Sequence, residues 1–107
     1  MSPEPSADPV TLTRDDIRAW PKAELHCHLD GSMRLATMLD LAKIEGKQDV
    51  LPADSVEGLQ EELRGVEESG TLEAYLAWFG YTIPLLQTSE ALRRAAYELA
   101  ADNANEN

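Results

Sequence analysis

One cysteine in 107 residues means that no disulfide can form within the chain. That fits a reducing compartment, and a cytoplasmic protein is expected. Basic residues are also scarce. Nine Lys and Arg stand against 20 Asp and Glu, a net charge of −11. Nucleic-acid phosphates and anionic membrane surfaces would repel such a chain, so neither is expected as a partner. No stretch approaches the roughly 20 apolar residues that a membrane span requires. Met1–Pro9 lacks the basic head and apolar centre of a secretory signal. No internal repeat is visible, and only one segment reads as a β-strand. Histidine is scarce as well: there are two, His26 and His28, and they flank the single cysteine, Cys27.

Those three residues sit in Pro21–Arg34, PKAELHCHLDGSMR. Ala23–Leu29 reads as the strand. Side chains alternate along a strand, so His26 and His28 share one face. Leu25, Cys27 and Leu29 then take the other face, towards apolar packing. On that face Cys27 reads as a small buried hydrophobe. Two imidazoles at this spacing can converge on one metal ion, at roughly 2.0–2.1 Å per zinc–nitrogen bond. Asp30 continues the parity of the histidines, and Gly31 frees the backbone to turn. From local sequence alone, Asp30 is equally a turn residue before glycine.

The string Lys22-Ala23-Glu24-Leu25-His26-Cys27-His28-Leu29-Asp30-Gly31-Ser32 strongly resembles the first barrel strand of the adenosine deaminase family. These are metal-dependent amidohydrolases. The resemblance implies an α/β fold, the TIM (β/α)8 barrel. Such a barrel needs about 250 residues. The chain is therefore expected to be an N-terminal fragment of one, mostly helical with one β-strand. Residues 1–10, with three prolines, read as a disordered tail. Residues 11–107 read as the incomplete N-terminal part of the hydrolase domain. A lone strand leaves backbone donors and acceptors without a ladder. Its partner is expected from a missing C-terminal region or from another chain.

The remaining segments read as helices. Thr13–Trp20 is short, with Thr13 as N-cap and two aspartates in the first turn, and would plug one end of a barrel. Arg34–Glu45 carries Leu35, Met38, Leu39 and Ala42 at i, i+3, i+4, i+7, broadened by Leu41 and Ile44. Ser32 is its candidate cap and Gly46 its stop. Ser55–Arg64 suggests an acidic helix whose Glu57, Glu61 and Glu62 form a solvated face, ended by a break over Gly65–Gly70. Ser89–Asp102 is a strong helix capped by Thr88 or Ser89. Leu92, Ala95, Ala96 and Leu99 form its apolar face, and Arg93, Arg94 and Glu98 point outward.

Thr71–Gln87 is the second informative stretch. Leu72, Tyr75, Leu76 and Phe79 make one helical face, and Gly80 and Pro84 should weaken or kink the helix. Spacing alone favours a core stripe. The resemblance implies instead that Leu72, Tyr75, Leu76 and Phe79 line a pocket mouth, with Tyr75 where the family more usually has phenylalanine.

The resemblance also implies the chemistry. One zinc ion per complete enzyme is expected, with His26 and His28 as two of its ligands. Water activated by the metal attacks the purine carbon that bears the exocyclic amine, and ammonia leaves. Adenosine, or a related 6-aminopurine nucleoside, becomes inosine or its analogue, in purine nucleoside metabolism. His28 and Asp30 would also contact substrate, with Asp30 on the ribose 5′-hydroxyl. The family's third metal histidine, its metal aspartate, its proton-shuttling glutamate and a further histidine have no match here. No catalytic residue is expected within this chain; all are expected beyond Asn107. This chain alone is expected to be inactive. The other class of zinc deaminase, with His-x-Glu and Pro-Cys-x-x-Cys, is not matched. The alternative is a non-catalytic truncated product that serves as a helical interaction module.

Overall fold

Four helices begin at a hydroxyl that accepts from the amide three residues ahead. Thr13 takes Asp16 N–H, Ser55 takes Gly58, Thr71 takes Ala74 and Thr88 takes Ala91. Each bond satisfies one of the orphan donors of a first turn. The helices they start are α1 (Arg14–Ala19), α3 (Val56–Ser69), α4 (Leu72–Ala77) and α6 (Ser89–Asn105). α1 has the full reciprocal box, since Asp16 also accepts from Thr13 N–H at 3.0 Å. α2 (Leu35–Glu45) has Arg34 at its cap position and no side-chain cap; Ser32 bonds elsewhere. A short α5 (Phe79–Thr82) completes the set, and 3-10 turns lie at Leu29–Gly31, Gln48–Val50 and Ile83–Leu85. This is a computed structural model, and it describes residues 10–107. The expected disordered tail over 1–10 lies, except for Val10, outside the described residues.

Two glycines end helices in the left-handed region, Gly46 at φ 67° and Gly70 at φ 66°. Gly46 stops α2 as its sequence suggests. The break expected over Gly65–Gly70 is confined to its end. α3 runs through Gly65 to Ser69, because one glycine costs a helix only about 1 kcal/mol. The Thr71–Gln87 segment is broken as expected. α4 gives way to α5 at Trp78, and α5 stops before Pro84, which has no amide hydrogen to continue a ladder.

The core gathers Met38, Leu41 and Ala42 of α2, Leu59 of α3, Trp78, Leu85 and Ala91 of α6. Met38, Leu59 and Leu85 are wholly enclosed. Burying a side chain of this kind is worth about 1.5–3 kcal/mol. Ile44, expected to widen the α2 stripe, is exposed instead.

α6 is rotated from its expected orientation. Ala91 and Ala95 are buried, while Leu92 and Ala96 are exposed. Arg94 and Glu98, expected to face outward, turn towards α2. Arg94 pairs with Asp40 at 2.8 Å, Thr37 donates to Glu98, and Arg34 grips Asp102 at 2.7 Å. A polar edge of α2 thus meets an i, i+4 row of α6, while Ala91 and Ala95 of α6 are buried beside it.

Among the described residues no β-strand forms. Ala23–His28 lacks regular secondary structure and is exposed throughout. A strand is defined by its ladder, and no second strand is present to supply one. Leu25 is 93 % exposed, so the expected apolar packing on that side is absent too. The segment is held at its start: Lys22 N–H donates to the Asn107 carbonyl at 2.5 Å, and Lys22 Nζ donates to the last carbonyls of α1. α1 buries nothing, with Ile17 and Trp20 about half exposed. Glu57, Glu61 and Glu62 are solvated as expected. No helix of the described residues is long and apolar enough to cross a membrane.

Candidate functional site

The extended backbone reaches His28 at φ −101°, ψ 127° and then closes into the 3-10 turn. His26 and His28 emerge together. Their rings stack with centroids 5.2 Å apart and planes 23° from parallel. Both are exposed. Glu24 accepts from the His26 backbone N–H at 3.2 Å, which keeps a carboxylate beside the pair. The turn is tied by three bonds. Gly31 N–H donates to the His28 carbonyl at 3.1 Å, Ser32 N–H to the Leu29 carbonyl at 3.1 Å, and Ser32 Oγ to the His28 carbonyl at 2.7 Å.

α4 and α5 lie across this turn. Phe79 stands with its ring centroid 6.4 Å from that of His28, and Tyr75 meets Phe79 edge to face at 6.3 Å. The T-shaped arrangement is favoured by the ring quadrupoles. On the opposite side of the same helical segment Trp78, Thr82 and Leu85 are buried in the core. The stripe of Leu72, Tyr75, Leu76 and Phe79 is therefore left facing out, towards the histidines.

His26, His28, Asp30, Leu72, Tyr75, Leu76 and Phe79 all line one open depression of about 740 Å³. Every residue singled out from the sequence is on it. Three more were missed or misplaced. Ser32, read as a helix cap, lies on its floor. Ile83 also lines it; standing four residues after Phe79, it continues the stripe. Cys27 also lines the depression and is exposed, which corrects the expectation of a buried hydrophobe. Alternation separates faces only where a sheet enforces the pleat, and no sheet does so here.

The charged groups with shifted protonation lie away from this depression. The hydrogen bond from Arg34 holds the Asp102 carboxyl below its ordinary range. The reciprocal bonds, to Asp102 and to Asp40, raise the Arg34 and Arg94 guanidinium groups. That network braces α2 against α6 and so fixes the support on which the turn stands.

Two imidazole nitrogens suit a divalent ion such as zinc. They are part of a donor set, since zinc sites normally keep three or more protein ligands. Among the described residues no group of three or more His, Cys, Asp or Glu is placed to hold a metal ion.

Comparison with known proteins places these features in a wider setting. The family model for adenosine deaminase matches residues 21–107. An adenosine deaminase of Mycobacterium leprae (strain TN) is 48 % identical over 91 residues, covering 85 % of this chain and 25 % of that protein. One from Mycobacterium sp. (strain KMS) is 46 % identical over 96 residues, covering 90 % and 26 %. One from Mycobacterium tuberculosis is 49 % identical over 90 residues, covering 84 % and 24 %. The chain thus spans about a quarter of the length of the curated relatives it matches. No solved structure matches it.

Proposed function

The chain belongs to the adenosine deaminase family, and from that premise we propose that the protein carrying it hydrolyses adenosine, or a related 6-aminopurine nucleoside, to inosine or its analogue and ammonia. One water enters, the bond from the purine ring carbon to the exocyclic nitrogen breaks, and the nitrogen departs with the protons of ammonia. The observation that supports this reading most is the convergence of two imidazoles, a carboxylate and an aromatic–aliphatic wall on one depression. Its size falls within the range of small-molecule sites, about 300–1,000 Å³.

In this reading His26 and His28 are two of the ligands of a zinc ion. When bound, such an ion supplies the Lewis acidity that makes water a nucleophile at neutral pH. Asp30 accepts a hydrogen bond from a ribose hydroxyl, as an ionised carboxylate can. Leu72, Tyr75, Leu76 and Phe79 cover the purine and exclude bulk water from it. The Tyr75 hydroxyl gives the wall one polar point, which needs a partner in the substrate or in solvent. The remaining metal donors and the proton-transfer groups are assigned to the part of the protein that matches the other three-quarters of its relatives. The same part supplies the rest of a (β/α)8 barrel. The 107-residue chain by itself is inactive in this reading, and it is cytoplasmic.

The test is direct. The protein is expressed from its own gene, its metal content is measured, and adenosine conversion is followed by the change in purine absorbance. His26→Ala and His28→Ala should each lower bound zinc and bring turnover to background. Undiminished turnover in either variant would remove the assignment.

A further inference from the structure

We infer that Ser32 is a positioning residue for the His28 imidazole, acting through the His28 backbone carbonyl. The inference rests on the reading of His28 as a metal ligand. Ser32 Oγ donates to that carbonyl at 2.7 Å, and Gly31 N–H donates to it at 3.1 Å, so both lone pairs of the oxygen are used. A carbonyl held from two directions fixes the peptide plane that follows His28. The direction in which the side chain leaves the backbone follows from that plane together with ψ of His28, 127° here.

Beyond this tie, the closest ring to the His28 imidazole is that of His26, stacked at 5.2 Å and itself on the free segment. His28 is exposed, and among the described residues no sheet neighbour holds its segment. Phe79 is near but not in close stacking, at 6.4 Å between centroids. Ser32 itself is anchored. It is half-buried, its N–H bonds Leu29, and the next residue, Met33, packs on the core. The hydroxyl therefore links the backbone of an exposed ligand to the rigid part of the molecule. His26 has no such tie; its backbone N–H bonds only the Glu24 side chain on the same free segment. Groups that hold a ligand in its bound orientation raise metal affinity without touching the metal.

The experiment compares Ser32→Ala and Ser32→Thr with His28→Ala, in the protein as expressed from its own gene. Zinc affinity is read by competition with a chromophoric chelator. In metal-free protein the carbonyl ¹³C shift of His28 is read by NMR. Ser32→Ala should weaken zinc binding about threefold to tenfold, the worth of one net hydrogen bond. It should shift the His28 carbonyl resonance and leave the thermal midpoint near wild type. Ser32→Thr keeps the hydroxyl and should restore both readings. If Ser32→Ala does not fold, Ser32→Gly, which also lacks the hydroxyl and adds no metal donor, takes its place. Wild-type affinity in Ser32→Ala, with binding abolished in His28→Ala, overturns the role of Ser32 and leaves the family reading intact. Threonine as weak as alanine also overturns it. Zinc binding that survives His28→Ala overturns both.

Discussion

The Phe79 ring carbon Cε1 stands 3.2 Å from the point that a Cβ on Gly31 would occupy. This approach, rather than a left-handed backbone, is why glycine follows Asp30. Gly31 is not among the glycines with positive φ. The turn after the histidines and the helix over the depression therefore touch directly.

A methyl group at Gly31 should displace the ring by a few tenths of an ångström. Phe79 is only half-buried and can yield. Gly31→Ala should cost less than about 1 kcal/mol and Gly31→Val about 1–3 kcal/mol, as overpacking does. Urea unfolding measures the difference. Equal stability of all three proteins would mean that the ring and the turn are not in contact.

The α4 stripe and the buried side of the same segment should respond oppositely to substitution. Leu72 is 71 % exposed and Leu76 53 %, whereas Leu85 is fully enclosed. Leu72→Ser and Leu76→Ser should leave stability within about 0.5 kcal/mol, as surface changes do. In the active protein they should raise KM for the nucleoside. Leu85→Ala should cost about 2–5 kcal/mol. A Leu76→Ser protein that unfolds as readily as Leu85→Ala would make the stripe a core element instead of a wall.

The histidine pair, its turn and the wall were legible because each is local. His26 and His28 are two apart, and Leu72, Tyr75, Leu76 and Phe79 follow one helical period. The caps Thr13 and Thr88 were legible for the same reason, since a cap acts within three residues. The strand was not, because a ladder requires a partner far along the sequence. Ser32 was misread because a hydroxyl before a helix can bond forward or backward, and the competing acceptor was the His28 carbonyl. The orientation of α6 was missed through weighting. Arg94, Glu98 and Asp102 lie four apart, a row as regular as the apolar one. Only α2, presenting Arg34, Thr37 and Asp40, decides between the two rows.

The interior prediction concerns Met38 of α2 and Leu59 of α3, which belong to one buried cluster. Both are wholly enclosed in the same cluster. Met38→Ala or Leu59→Ala should each cost about 2–5 kcal/mol, the lost transfer energy plus the cavity left behind. Their neighbours are shared, so the double variant should cost less or more than the sum by at least about 0.5 kcal/mol. Strict additivity in denaturant unfolding would argue that the two side chains do not share one core.

Acid should release the brace between α2 and α6. Arg34 holds Asp102 through two guanidinium nitrogens, Nη2 at 2.7 Å from Oδ1 and Nε at 3.1 Å from Oδ2. This fork favours the ionised carboxylate, so the folded-state pKa of Asp102 lies below its ordinary 3.8. A depressed carboxylate contributes its full stability above the unfolded value. The contribution is lost as pH falls through the folded one. The thermal midpoint should therefore hold from about pH 7 to pH 5 and decline below about pH 4. Asp16, also depressed through its bonds to Thr13, shares that decline. Asp102→Asn removes one part and keeps the other. The gap between wild type and Asp102→Asn should be widest near neutrality and close towards about pH 2. Both partners are more than one-third exposed, at 43 % and 40 %, so water screens the pair and the gap should be small. Molar salt should narrow it further, because the screening length falls to about 3 Å. A gap unchanged by pH and by salt would show that the asparagine acts by altered packing at α6 and not through the charge that binds it to Arg34.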